Sequence, residues 1–223
     1  MISLNEMDAS ALIADLKKQP ESFFDEGRAY ELLQEYFKGE AVDSLGELLT
    51  DRNLSVRKSA VWIVSELGSN AIPVAEQILT LLNDDERYVK YYALESLMVF
   101  SSSGLENVFY HIVSALEDTD AVIRKLGMYL VSNSSNVQLE EAIQHYLDID
   151  DNSHVEGLRS LLGIASSAEH GQIESRLYGD NNILAMYSAI LVKREMERYG
   201  RKISFDLDRI ENSSIKNFLG EFA

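Results

Sequence analysis

Apolar residues recur every three or four positions along most of the chain. Ile72, Ala75, Ile78 and Leu82 are one example, and this is the spacing that lines one face of an α-helix. The segments with this pattern alternate between two kinds. The first kind, A, runs through AVDSLGELL, AIPVAEQILTLL, GLENVFYHIVSAL, NVQLEEAIQHYL and HGQIESRLY. The second, B, runs through SVRKSAVWIVSEL, YVKYYALESLMVF, AVIRKLGMYLVS, HVEGLRSLLGIA and ILAMYSAILVKREMERY. Polar stretches (SSSG at 101–104, SNSSN at 132–136) separate a B segment from the next A. Pro73 falls in the first turn expected for its helix, where a missing N–H has no partner to lose.

The alternation is a repeat. LTDRNLSVRKSAV, from Leu49, is rewritten as LNDDERYVKYYAL from Leu82. The frame aspartate, four residues, Val, Arg or Lys, two residues, small residue occurs at Asp51/Val56/Arg57/Ala60 and Asp84/Val89/Lys90/Ala93. It recurs at Asp118/Ile123/Arg124/Gly127, is degraded at Asp150/Val155/Glu156, and appears once more at Asp180/Ala185/Met186/Ala189. Steps of 33, 34, 32 and 30 residues are those of helical-hairpin arrays, in which each hairpin buries its apolar stripe against its neighbours. Each aspartate precedes a B helix, where its carboxylate can accept orphan backbone N–H groups. Helices over DASALIADLKK and FDEGRAYELLQEYFKG, with Ala29, Leu32, Leu33 and Tyr36 inward, and a short helix over SSIKNFLGEF serve as caps. The expected fold is therefore all-α: a right-handed α-solenoid of about five hairpins. It forms a single domain over 1–223, with capping helices in 1–40, repeats in 41–198 and a C-terminal cap in 199–223.

An A helix, a short turn with Asp, and a B helix with Val-Arg and a small residue resemble the HEAT-repeat family. The resemblance is good over 41–131, weaker over 137–198 and absent before residue 40. It implies that Asp51, Arg57, Asp84, Lys90, Asp118 and Arg124 form a structural ladder between repeats, a role that does not carry over to Glu156 and Met186. It also implies an outer layer of A helices and an inner, partner-binding layer of B helices.

Charge changes the functional picture more than the fold. The chain carries 37 Asp and Glu against 20 Lys and Arg, a net charge of −17. Such a field repels phosphate backbones and anionic lipid and attracts basic proteins. The A segments 41–50, 71–83, 104–117 and 137–147 contain no Lys or Arg, so the central basic residues lie on or beside B. Positions projecting from the B stripes form aligned columns that combine aromatic, Lys and Glu side chains. Lys58, Ser59, Trp62, Tyr91, Tyr92, Glu95, Lys125 and Tyr129 are the candidate partner-binding set, since such mixtures make contact hot spots.

No catalytic constellation appears. Cysteine is absent, which removes disulfides and thiolate metal sites and fits a reducing compartment. His111, His145, His154 and His170 show no metal-binding spacing, and His111 and His145 are expected at a helix surface or cap. In DIDDNSHVEG, Asp148, Asp150 and Asn152 match the first calcium-loop ligands. Ser153 stands where glycine is needed and Arg159 where glutamate is needed, so the stretch reads as a turn. Phosphate-cradling glycine loops and nucleophile elbows are missing.

A non-catalytic protein-binding module without cofactor is expected, with another protein, basic in one form of this reading, as partner and neither nucleic acid nor membrane. An acidic inhibitor or immunity-type protein for a basic toxin is its specific form. A scaffold or adaptor in a larger complex is the alternative. Among HEAT-like enzymes, a DNA glycosylase is disfavoured by the charge, and a chromophore-lyase-like protein has no marking residue here. The N-terminus lacks a basic region followed by an apolar run, and no apolar stretch is long enough to span a bilayer, so a cytoplasmic location is expected.

Overall fold

A computed structural model describes the backbone of residues 8–162, 167–200 and 203–221. Within these it describes all side chains but those of 167–171 and 198–199. Every regular element among the described residues is a helix, and no helix there is long and apolar enough to cross a membrane. The chain forms two compact units, Met1–Ser103 and Gly104–Ala223.

In the first unit α1 (Ala9–Lys18), α2 (Pro20–Phe23) and α3 (Arg28–Phe37) precede two hairpins. The first pairs α4 (Ser44–Leu49) with α5 (Leu54–Leu67), and the second pairs α6 (Ala75–Leu81) with α7 (Arg87–Ser102). Helix α5 packs on α4, α7 and α3, and α1 packs on α3, so the N-terminal helices cover one side of the first hairpin. Ala29, Leu32, Leu33 and Tyr36 are buried, as their spacing predicts. Pro73 sits in a 3₁₀ segment, Gly68–Val74, ahead of α6 rather than inside its first turn. The tighter winding carries the chain from α5 into α6 without a long loop.

The repeated aspartates act one step earlier than expected. Asp51, Asp84 and Asp118 accept the backbone N–H two residues on, at 2.8, 2.9 and 2.7 Å. These are Asx turns. At α5 and at α9 (Ala121–Ser132) the cap itself is the residue two positions on, Asn53 and Asp120 respectively. Arg57 then locks turn to helix. Its Nη1 donates to the carbonyls of Asp51 and Arg52 at 2.9 and 3.1 Å, and its Nε donates to the Asp84 carboxylate at 2.7 Å. A charge-assisted bond between half-buried groups ties one hairpin to the next.

The second unit contains α8 (Phe109–Ser114), α9, α10 (Asn136–Asp148), α11 (Asn152–Leu161), α12 (Ser167–Leu177), α13 (Asn182–Tyr199) and α14 (Ser213–Leu219). The A-type segment from Gly104 becomes helical only at Phe109, after Asn107 adopts a left-handed conformation (φ 59°). Helix α13 packs on α9, α11, α12 and α14, and every residue from Ala185 to Glu195 is buried. A repeat helix with a single stripe leaves one face wet; α13 is covered all round and forms the centre of its unit.

Arg194 makes that centre specific. Its Nε donates to the Ser132 carbonyl and its Nη1 to the Leu161 carbonyl, both at 2.9 Å, while Nη2 donates to the Ser134 carbonyl and hydroxyl at 2.5 and 3.1 Å. Ser132 and Leu161 end α9 and α11. One buried guanidinium thus satisfies orphan carbonyls at two helix C-termini and faces their negative ends.

Two glycines on the B helices have steric reasons. At Gly127 a Cβ would come 3.1 Å from that of Ala115, and at Gly157 it would lie 2.0 Å from the Tyr187 ring. Gly157→Ala forces Tyr187 out of its place and is expected to cost about 2 kcal/mol or more. Arg194→Met leaves several buried carbonyls without donors and is expected to lower the unfolding free energy by about 3 kcal/mol. Urea titration followed by circular dichroism checks both. A loss below about 1 kcal/mol for Arg194→Met would mean that water replaces the guanidinium.

Candidate functional site

In the first unit, α5 and α7 lie side by side and their projecting residues form two stripes. Helix α5 contributes Lys58, Trp62 and Glu66 at intervals of one turn. Helix α7 contributes Tyr88, Tyr91, Tyr92 and Glu95. Lys58, Trp62, Tyr91, Tyr92 and Glu95 are all half-buried, neither locked in the core nor loose in solvent. Trp62 meets Phe24 edge-on, with ring centroids 5.2 Å apart. Tyr92 stands 4.6 Å from Tyr88 and 5.4 Å from Tyr91. Phe24 is 40% exposed, so the aromatic surface continues past the two helices.

The two ends of this surface differ in charge. At one end, Lys58 pairs with Glu86 at 3.2 Å and lies 5.7 Å from the Tyr88 ring centroid. At the other, Glu95 and Glu66 are carboxylates on neighbouring helices. Burial pushes the Glu95 carboxyl above its ordinary range, a hydrogen bond from Tyr91 opposes that, and the Glu66 charge adds to it. Tyr91 is raised in turn, mainly by burial and then by the Glu95 charge. Among the described residues neither Glu66 nor Glu95 makes an ion pair.

Ser59 does not belong to this surface. It is 1% exposed, because it follows Val56 by three residues and shares the inward stripe with Ala60 and Ile63. Phe24 and Tyr88 join the surface without having been expected there. Tyr88 had a local signal, since it lies one turn before Tyr91 and Tyr92, whereas Phe24 comes from α2's C-terminal end and had none.

Lys125 and Tyr129 lie in the second unit, on α9, and their surroundings are different. Helix α14 packs on α9. Phe218 meets the Tyr129 ring edge-on at 5.4 Å, and the Tyr129 hydroxyl donates to Glu221 at 2.6 Å. Lys125 pairs with Glu221. Glu221 pushes the Tyr129 phenol up to about 12, chiefly through this hydrogen bond. Lys193 lies 5.2 Å from the same ring's centroid. The C-terminal helix thus holds the residues that the aligned columns offered to a partner. Arg124 repeats the Arg57 geometry, donating to the Asp118 and Thr119 carbonyls at 2.7 and 2.9 Å. Its Nε reaches Ser214 of α14 at 3.1 Å, where Arg57 reaches an aspartate.

For the remaining ladder positions, Lys90 is half-buried on α7, Asp51 is held in its Asx turn, and Asp118 likewise. Glu156 pairs with Arg176, and Met186 is buried.

The histidines form a second cluster. Tyr110 stacks on His145 at 3.7 Å and lies 4.0 Å from His111. Both histidines are half-buried, within an aromatic stack rather than free on a helix surface. His154 is fully buried, stacked on Tyr146 at 4.3 Å, with Nδ1 2.8 Å from the Tyr187 hydroxyl. Its Nε2 has no hydrogen-bond partner and lies 3.8 Å from Glu117. Burial pushes its pKa down, against the charges of Asp151 and Glu117. The His170 side chain lies outside the described residues. A polar cavity of about 260 Å³ opens beside α13 and α14, lined among others by Tyr178, Asn182, Arg209 and Asn212, with Arg209 stacked 4.0 Å over Tyr178. Among the described residues no three His, Asp or Glu side chains gather as metal ligands.

No protein-family model matches the chain, and no curated protein matches it. The α5/α7 surface is the site to which the geometry itself points.

Because the folded His154 holds a proton less readily than an exposed histidine, the unfolded chain takes up its proton first as pH falls. Stability is therefore expected to be level above about pH 6.5 and to decline below it, down to the depressed folded value. Urea midpoints measured between pH 7.5 and 5 check this. The decline should be shallower in His154→Phe, and an equal slope in both proteins would remove His154 as its source.

Proposed function

We propose that this protein is a non-catalytic protein-binding module built from HEAT-like helical hairpins, and that its partner docks on the α5/α7 face. The observation that carries this reading is the half-exposed aromatic surface of Phe24, Trp62, Tyr91 and Tyr92. Rings in this state are costly to leave against water, and they have already lost part of their freedom by packing on one another. A partner that covers them gains hydrophobic area without a large ordering cost. The polar groups around them, Lys58, Glu66, Glu86 and Glu95, supply the rim that sets orientation.

The net charge supports a basic partner over an acidic one. An inhibitor of a basic protein and an adaptor for a basic subunit use this surface in the same way. The repeated Arg57 and Arg124 geometry supports the HEAT-like reading of the hairpins and their arrangement as a solenoid, since it joins each Asp turn to the element that follows in space. A cytoplasmic site of action is part of the same proposal.

Photocrosslinking in cells tests the reading. A benzophenone amino acid at Tyr91 is expected to trap one discrete protein, and Trp62→Ala should reduce that yield at least about tenfold while leaving helicity unchanged. The same probe at Val137, exposed on α10, should trap nothing specific. Equal trapping at both positions, or none at Tyr91, would refute the assignment of the face.

A further inference from the structure

We infer that the α5/α7 face seats a basic side chain of its partner protein, arginine above lysine, with the stem across Trp62 and the guanidinium at Glu66 and Glu95. This rests on the binding reading above and names the chemistry the face selects.

The surface has three parts in sequence along the two helices. Lys58 and Glu86 neutralise each other at the first. The rings of Trp62, Tyr91 and Tyr92 occupy the middle. At the third, two carboxylates share a neighbourhood: α5 and α7 pack along their length, with Lys58 beside Tyr88 and Gly68 beside Val99, and this register sets Glu66 next to Glu95. Tyr91, the polar neighbour of Glu95, is a neutral donor and adds no positive charge. Two like charges on adjacent helices oppose each other. A cation placed between them removes that repulsion and gains two charge-assisted hydrogen bonds.

The aromatic rings decide which cation fits. A bare metal ion would use only the carboxylates, and two of them on an open face make a poor cage. A side-chain cation also gains from the ring faces beside it, typically about 0.5–2 kcal/mol. Arginine fits better than lysine because its planar guanidinium stacks on a ring and offers donors to two acceptors at once. Nucleic acid is excluded at this place by the same two carboxylates, which face any phosphate with like charge.

Trp62 is the chain's one tryptophan, so intrinsic fluorescence reports on this face alone. The probes are hexa-arginine and hexa-citrulline, peptides of equal length that differ in charge, titrated into the full-length protein at physiological salt. Hexa-arginine is expected to shift Trp62 emission with a half-saturation at least about tenfold below that of hexa-citrulline. The double variant Glu66→Gln/Glu95→Gln should lose that advantage. The control Glu76→Gln/Glu140→Gln removes the same charge from exposed positions on α6 and α10 and should keep it, which separates a seat from general attraction to an acidic protein. Circular dichroism confirms that all variants remain folded. Equal behaviour of the two double variants, or no emission change with hexa-arginine, overturns the inference. A response that is as strong with hexa-citrulline overturns it too, but leaves the face as a peptide-binding surface, so that outcome is distinct from failure of the crosslinking test.

Discussion

An arginine that reaches in two directions organises the hairpins. From the first turns of α5 and α9, Arg57 and Arg124 each give one nitrogen to two successive turn carbonyls and another to a neighbouring element. The carbonyl contacts fix how the Asp turn enters its helix. The Nε contact fixes where the next element lies. A short turn that lacked this clamp would leave its carbonyls unpaired as the packing closes over them, at a cost comparable to the bonds themselves. The rest of the hairpin geometry, including which B-helix residues look outward, follows from that register.

The second unit solves the same problem with different parts. There the frame loses its Arg at Glu156 and Met186, and a single arginine deep in α13 takes over the ends of α9 and α11. Burying a guanidinium is favourable only with its donors occupied, and Arg194 meets that condition with three backbone carbonyls and the Ser134 hydroxyl. Helix α13 consequently sits among four others rather than between two neighbours, and Gly157 yields its side chain so that Tyr187 can reach His154. The degraded repeat is a change of architecture at these residues, not mere loss of a motif.

Much of this was legible in the chain. Periodicity located the described helices other than α2, with α8 beginning well inside its segment, and the inward set of α3 and the outward Lys58, Trp62, Tyr91, Tyr92 and Glu95 follow from stripe geometry. Ser59 was legible too, since its spacing from Val56 places it inward; its alignment with Tyr92 drew it to the surface set. Other features carry no local signal. Phe24 reaches Trp62 from a separate helix, Arg194 reads as one more charge near a helix end, and Glu221 meets Lys125 across 96 residues of sequence. Pattern fixes which face of a helix is apolar; it does not fix which distant segment comes to cover it.

That distance shapes how the second unit is made. Helix α9 leaves the ribosome long before Ser213, and its contacts with α14 span 90 to 96 positions. Chain closure over such a separation is entropically slow, and domains acquire structure from the N-terminal side during synthesis. Until residues 213–221 have been synthesised, Tyr129 and Lys125 therefore stand open to solvent and to other nascent chains, and a segment made about 90 residues later is the one that shields them.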